Sequence, residues 1–155
     1  MQLYLIRKLW PEMLMSIEIR ILRPEDFAAA NALWCFMNSI VLRGDDNPEA
    51  FSKFLERNPD CCYAAWLGND LLVGAIMAGH DGRCGYLYHL AVKPGYRRQG
   101  IGRKLVNKSV AVLDAQGISK FHVFIKRNNI TASSFWRKLG WELRRDIQVN
   151  SFSGG

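Results

Sequence analysis

Apolar residues fall in two alternating rhythms along the chain, and each change of rhythm marks a new element. Ile17, Ile19 and Ile21 alternate with Glu18 and Arg20, the period of a half-buried strand. Pro24-Glu25-Asp26 then opens a segment in which Phe27, Ala30, Leu33, Trp34 and Met37 recur at spacings of three and four. This predicts a helix to about Phe36 to Ser39, with proline in the first turn and acids at the positive end. Asn47-Pro48 starts a second helix, with Phe51, Phe54 and Leu55 inward, ending before Asn58-Pro59. Cys61 to Leu67, Leu71 to Gly79 and Cys84 to Val92 read as strands of an antiparallel meander, joined by Gly68-Asn69-Asp70 and Asp81-Gly82. A helix from Ile101 to about Ala115 buries Leu105, Val106, Val110 and Leu113 and is capped by Gly117. Phe121 to Ile125 is a strand and Thr131 to Leu139 a helix stopped by Gly140. Trp141 to Asp146 and about Ile147 to Phe152 read as closing strands.

The order β-α-α-β-β-β-α-β-α-β-β predicts an α/β (α+β layered) domain over residues 16–155. Its sheet should be mixed, mainly antiparallel and six- to seven-stranded, with helices on both faces. Met15-Ser16-Ile17 reads as a natural start, so residues 1–15 are expected to be an N-terminal extension or the product of an upstream start.

Composition narrows the class. A chain of 155 residues, 49% apolar and 23% charged, has the size and balance of one ordinary folded domain and excludes a disordered one. No apolar run reaches the length of a membrane span. Leu3 to Ile6 is too short for the core of a signal peptide, so a cytoplasmic location is expected. The four cysteines form no Cys-x-x-Cys pair and no histidines stand at metal spacing, so no metal is expected. Adjacent Cys61 and Cys62 read as core thiols.

The net charge of +7 is unevenly spread. Residues 1–80 carry 7 Lys/Arg against 10 Asp/Glu, a net of −3, and residues 81–155 carry 14 against 4, a net of +10. Much of the excess lies at Arg97, Arg98, Arg103 and Lys104 and at Lys126 and Arg127. A multiply anionic ligand at the basic half and a cationic amine near the acidic half account for this split. Nucleic acid is disfavoured, since no basic platform interleaved with aromatics appears.

The chemistry concentrates between Tyr86 and Leu105, which parses as strand, Lys93-Pro94-Gly95 turn, basic loop and helix start. Gly100 and Gly102 remove side chains that would keep an anion from the backbone, and the helix end adds roughly half a positive charge. The Walker pattern fails, because a single Ile101 separates the glycines and Arg103-Lys104 follows. The dinucleotide pattern fails because Leu105 stands where a third glycine is needed. Arg97-Arg98-Gln99-Gly100-Ile101-Gly102 is similar to the Arg/Gln-x-x-Gly-x-Gly/Ala signature of GNAT-type N-acetyltransferases. Asn129-Ile130-Thr131-Ala132-Ser133-Ser134-Phe135-Trp136, followed by Leu139-Gly140-Trp141, resembles that family's second signature at the expected distance. The likeness runs from about Ile17 to the C-terminal end and resembles small bacterial-type members.

This resemblance implies acetyl-CoA as co-substrate and direct transfer of its acetyl group to a primary amine in a ternary complex. It implies that strands four and five splay apart to admit the pantetheine. The backbone of Leu90, Ala91 and Val92 would contact carbonyl and pantetheine. Arg97, Arg98, Gln99, Gly100, Ile101, Gly102, Arg103 and Lys104 would cradle the pyrophosphate. Asn129 would contact the pantetheine or order the loop before its helix.

Two catalytic roles depart from the family's pattern. The usual tyrosine acid is replaced by Trp136, whose indole is a donor only, able to pack against CoA but a poor proton source. The base positions hold Tyr86 and Tyr88, and a third alternative holds Phe124. Strand alternation puts Tyr86, Tyr88 and Leu90 on one face, with Tyr88 and then Tyr86 as candidates to relay a proton through water. His89 is expected to point oppositely, as a satisfied core histidine rather than a base, His122 reads as likewise structural, and His80 and Asp81 are alternative base or amine contacts. Asp45, Asp46 and Asp81 are candidates for attracting a cationic acceptor. The competing readings are acetylation of a protein N-terminus or lysine, and an acyl-CoA-binding sensor without catalysis. A monomer or homodimer fits the sequence equally.

Overall fold

A computed structural model of the chain describes residues 16–37, 40 and 42–154. The expected N-terminal extension, and Ser39 at the far end of the first expected helix, lie outside the described residues. The chain separates into two compact units, one reaching to Phe124 and one starting at Ile125.

The first unit holds β1 (Ile17–Ile21), a 3-10 turn at Pro24–Asp26, α1 (Phe27–Phe36), α2 (Pro48–Arg57), β2 (Tyr63–Leu67), β3 (Leu71–His80), β4 (Gly85–Val92), α3 (Ile101–Ala115) and β5 (Phe121–Val123). Local chemistry sets these boundaries. The Asn47 side chain accepts from the Ala50 N–H at 2.9 Å and so caps α2, with Pro48 in its first turn. Gly117, in the left-handed region at φ 85°, ends the run of α3 by donating to the Asp114 carbonyl at 2.9 Å.

The five strands lie in the order β1-β2-β3-β4-β5, antiparallel throughout except for the parallel pair β4 and β5. Period-two alternation divides the sheet into two packed faces. On one, Cys62, Ala64, Ala75, Met77 and Ala91 form a core with Ala30, Leu33 and Trp34 of α1 and Phe51 of α2. Helix α3 packs on β2, β3 and β4, with Leu105, Val106, Ser109 and Leu113 all buried. Buried Ser109 is satisfied by donating to the Cys61 carbonyl at 2.7 Å.

The second unit holds α4 (Ile130–Lys138), after which residues 141–154 form no strand. The expected sheet of six to seven strands is therefore corrected to five, and Trp141 to Asp146 and Ile147 to Phe152 are not strands. The alternation of Leu143, Ile147 and Val149 is real, but a strand is defined by pairing, and this unit contains no other strand to pair with among the described residues. Leu143, Ile147, Val149 and Phe152 are accordingly exposed.

Burial also sets thiol reactivity. Cys61 and Cys62 are buried and Cys35 is exposed. Burial pushes the Cys62 thiol up to about 12, so at pH 8 only about one part in 10⁴ is thiolate, the reactive form. Alkylation of the native protein at pH 8 should modify Cys35 first and leave Cys62 unmodified until the chain is unfolded. Peptide mass spectrometry checks this, and labelling of Cys62 as fast as Cys35 would contradict its burial.

Candidate active site

Strand β4 carries an irregularity at the centre of the site. Ala75 of β3 stands opposite Ala91 and Met77 opposite Tyr88, so Ile76 alone faces two residues, His89 and Leu90. This is a β-bulge, and His89 takes the left-handed conformation at φ 54°, uncommon for a residue with a Cβ. The extra residue shifts the phase of everything after it. The face that holds Tyr86 and Tyr88 continues through Ala91, and the expectation that Leu90 shares it is corrected. His89 is corrected as well. Instead of pointing away, its ring lies 5.2 Å from that of Trp34 in the α1 face of the core.

The pairing of β4 with β5 covers only Gly85 with Phe121, Tyr86 with His122 and Leu87 with Val123. Strand β4 runs on to Val92, whereas β5 ends at Val123, so the pairing stops at Leu87. Leu90, Ala91 and Val92 all lie on the stretch of β4 that has no β5 partner. Beyond it, the loop turns through Arg98 at φ 64° and Gly100 at φ 78°, both left-handed. Gly100 is the N-cap of α3 and offers no side-chain cap, so the first-turn N–H groups of Ile101, Gly102 and Arg103 are left to an incoming acceptor. A Cβ built at Gly100 would meet nothing within 4 Å. The glycine therefore serves a left-handed turn with open space beside it.

The charged side chains divide. Arg98, Gln99, Arg103 and Lys104 are exposed around the helix start. Arg97 turns back, donating from Nε to the Val92 carbonyl at 2.9 Å and lying 3.4 Å from the Met37 sulfur. It thereby ties the loop to the end of β4, a contact that the reading of a uniform basic cluster had missed.

Aromatic rings line the Tyr88 face. Tyr86 and Tyr88 are stacked with centroids 6.3 Å apart, Phe124 lies 6.2 Å from Tyr86 and 6.5 Å from Tyr88, and Phe54 of α2 meets Tyr88 edge-on at 5.9 Å. Burial, with smaller contributions from Tyr86 and Asp81, raises the Tyr88 phenol above its ordinary value. Tyr88 is thus a neutral hydrogen-bond donor at physiological pH.

The acidic residues are placed unequally. Asp46 accepts from the Arg43 N–H at 2.6 Å through one oxygen and lies 2.7 Å from His89 Nε2 through the other. Asp81 accepts from the N–H groups of Arg83 and Cys84, both at 2.8 Å, and these bonds hold its carboxyl below the usual range. Asp45 is exposed and accepts no hydrogen bond among the described residues. His80 is engaged at both nitrogens: Nδ1 accepts from the Gly82 N–H at 3.0 Å and Nε2 lies 3.0 Å from Gln116 Oε1.

In the second unit, Asn129 caps α4 by accepting from the Ala132 N–H at 3.0 Å. Trp136 is buried, with the Trp141 ring 4.6 Å away at an edge-on angle. Among the described residues no cluster of three or more His, Cys, Asp or Glu side chains is arranged to hold a metal ion. No described helix is long and apolar enough to cross a membrane.

Residues 27–141 match the model of the Acetyltransferase (GNAT) family, and the chain belongs to that family. It is similar to an acetyltransferase of Pectobacterium atrosepticum, 33% identical over 127 residues that span 81% of this chain and 88% of the relative. An acetyltransferase of Sodalis glossinidius is 32% identical over 132 residues, 84% of this chain and 91% of the relative. Among solved structures, the PaiA N-acetyltransferase from Thermoplasma acidophilum in complex with coenzyme A superposes with a TM-score of 0.70 at 22% identity, covering 86% of this chain and 94% of that one. An aminoglycoside acetyltransferase from an uncultured soil metagenomic sample, in complex with sisomicin, also gives 0.70 at 20% identity, covering 90% and 97%. The protein is an acyltransferase that draws on an acyl-CoA.

Proposed function

We propose that the protein transfers the acetyl group of acetyl-CoA directly to a primary amine while both are bound. The observation that carries this is the run from the end of β4 into the left-handed loop: β4 continues past its last pairing with β5 and leads to an uncapped helix N-terminus flanked by Arg98, Arg103 and Lys104. That run suits a thioester arm laid along β4 with its phosphates at the helix start. The backbone of Leu90, Ala91 and Val92 holds the arm, and Arg98, Gln99, Gly100, Ile101, Gly102, Arg103 and Lys104 take the pyrophosphate. Arg97 supports them through the Val92 carbonyl.

Tyr88, kept protonated by burial, supplies a hydrogen bond to the departing sulfur and, as both donor and acceptor, can relay a proton to it, whereas the indole of Trp136 can only donate a hydrogen bond. Tyr86 stacks behind it. Asn129 acts by ordering the start of α4. For a cationic acceptor, Asp45 is the one of the three carboxylates that accepts no hydrogen bond among the described residues, since Asp46 is bonded to Arg43 and His89 and Asp81 to Arg83 and Cys84. The deciding experiment is release of free thiol from acetyl-CoA across polyamines, aminoglycosides, amino acids and peptides. Amine-dependent release is expected. Acetyl-CoA binding without release for any amine would instead support an acyl-CoA sensor, and no binding would overturn the reading.

A further inference from the structure

We propose that His89, oriented by Asp46, is the base that takes the proton from the acceptor amine. The inference rests on the acetyl-transfer reading above and adds to it the group that the two tyrosines do not supply. The bulge is what makes His89 available. In a regular strand this residue would face away from Tyr88; its left-handed turn instead lays the imidazole against Trp34, with 18% of the side chain exposed.

The Asp46 contact fixes the ring. A carboxylate can only accept, so the 2.7 Å contact places the proton on Nε2 and leaves Nδ1 as an acceptor. The second Asp46 oxygen is held by the Arg43 N–H of the same loop, so the orienting carboxylate is itself fixed. Beside the ring, the buried indole N–H of Trp34 has no acceptor among the described residues, which marks this corner as one that receives a polar occupant. The alternatives nearby are committed. His80 has both nitrogens bonded, and His122 packs on the Tyr86 ring at 5.6 Å.

The proton balance is simple. The acceptor arrives as an ammonium, and Nδ1 takes one proton to give an imidazolium paired with Asp46 and a neutral amine. The nitrogen lone pair attacks the thioester carbonyl carbon; the C–N bond forms, and the C–S bond breaks with its electron pair leaving on sulfur. A second nitrogen proton passes to the thiolate, and the imidazolium returns its proton to solvent. Each turnover therefore yields one amide, one CoA thiol and one proton.

The rival role is a latch that merely fastens the loop before α2 to β4, and the test separates the two. His89→Gln can still donate to Asp46 but cannot take a proton, and His89→Asn suits the left-handed backbone. The probe amine is whichever of spermidine, kanamycin, lysine amide and a free tetrapeptide the native protein acetylates fastest. In both variants kcat should fall about 10²- to 10⁴-fold, with acetyl-CoA affinity by calorimetry unchanged. Added imidazole should restore part of the rate to His89→Gly and none to His89→Gln, whose side chain fills the space. Nitrogen NMR of the native imidazole at pH 8 should place the proton on Nε2, and this readout is independent of any acceptor. A native kcat in His89→Gln, or a proton on Nδ1, would overturn the base. Failure of the native protein to bind acetyl-CoA would instead overturn the broader reading.

Discussion

Replacing Gly100 by valine should give a folded protein that has lost acetyl-CoA binding by about 100-fold or more. Two costs combine. Gly100 sits at φ 78°, where a residue with a Cβ is strained by about 1–2 kcal/mol and a β-branched one is a genuine outlier. The loop must then either store that strain or move the first-turn N–H groups that follow. The new side chain would also occupy the open space beside Gly100 and so obstruct the pyrophosphate proposed to bind there. Each 1.4 kcal/mol is about tenfold in affinity, so strain and obstruction together suffice. Because nothing packs on the position, the melting temperature should move far less than the affinity. Gly100→Ala, with the smaller side chain, should fall between. Calorimetry with acetyl-CoA beside a thermal melt checks all three proteins, and undiminished affinity in the valine variant would remove this loop from the site.

Elements defined by local chemistry were legible in the sequence. Helix α3 was expected from Ile101 to about Ala115 and is found at Ile101–Ala115, because apolar spacing, a glycine before and a glycine after all agree. The meander strands were legible from alternation and turn residues. What was hidden depends on one residue more or less. A period-two reading of Tyr86 to Val92 contains no sign of a bulge, since tyrosine and histidine suit either face, so Leu90 and His89 were assigned the wrong sides. Asp46 and His89 are 43 positions apart, and no spacing rule joins them. Arg97 was read with its basic neighbours because charge alone cannot show that one guanidinium turns back to Val92. The two closing strands failed for the opposite reason: alternation was present, but pairing is a property of the partner.

The position of Tyr88 depends on a contact remote from it, and Gly79→Val should break that contact at a cost of about 3 kcal/mol or more. Asn58 ends α2 and is only 4% exposed. Its Nδ2 donates to the Phe54 carbonyl at 3.1 Å and its Oδ1 accepts from the His80 N–H at 3.2 Å, joining the helix to β3. A Cβ at Gly79 would lie 2.6 Å from Asn58 Cγ and Oδ1 and 2.7 Å from Nδ2, closer than real contacts allow. The amide is short and bonded at both ends, so it cannot swing aside cheaply. Overpacking costs about 1–3 kcal/mol, and leaving a buried polar group without its partner about 1–3 more. For a domain of this size that is a fall in melting temperature of about 6–12 °C. Since α2 carries Phe54 onto the Tyr88 ring, thiol release should fall as well, while acetyl-CoA affinity, proposed to be set at the α3 end, should hold. A double-mutant cycle identifies the cause: in an Asn58→Ala background the obstacle is gone, so Gly79→Ala should cost about 1 kcal/mol less than it does alone. Strict additivity of the two substitutions would show that Asn58 and Gly79 do not press on one another, and the link from β3 through α2 to Tyr88 would fail with it.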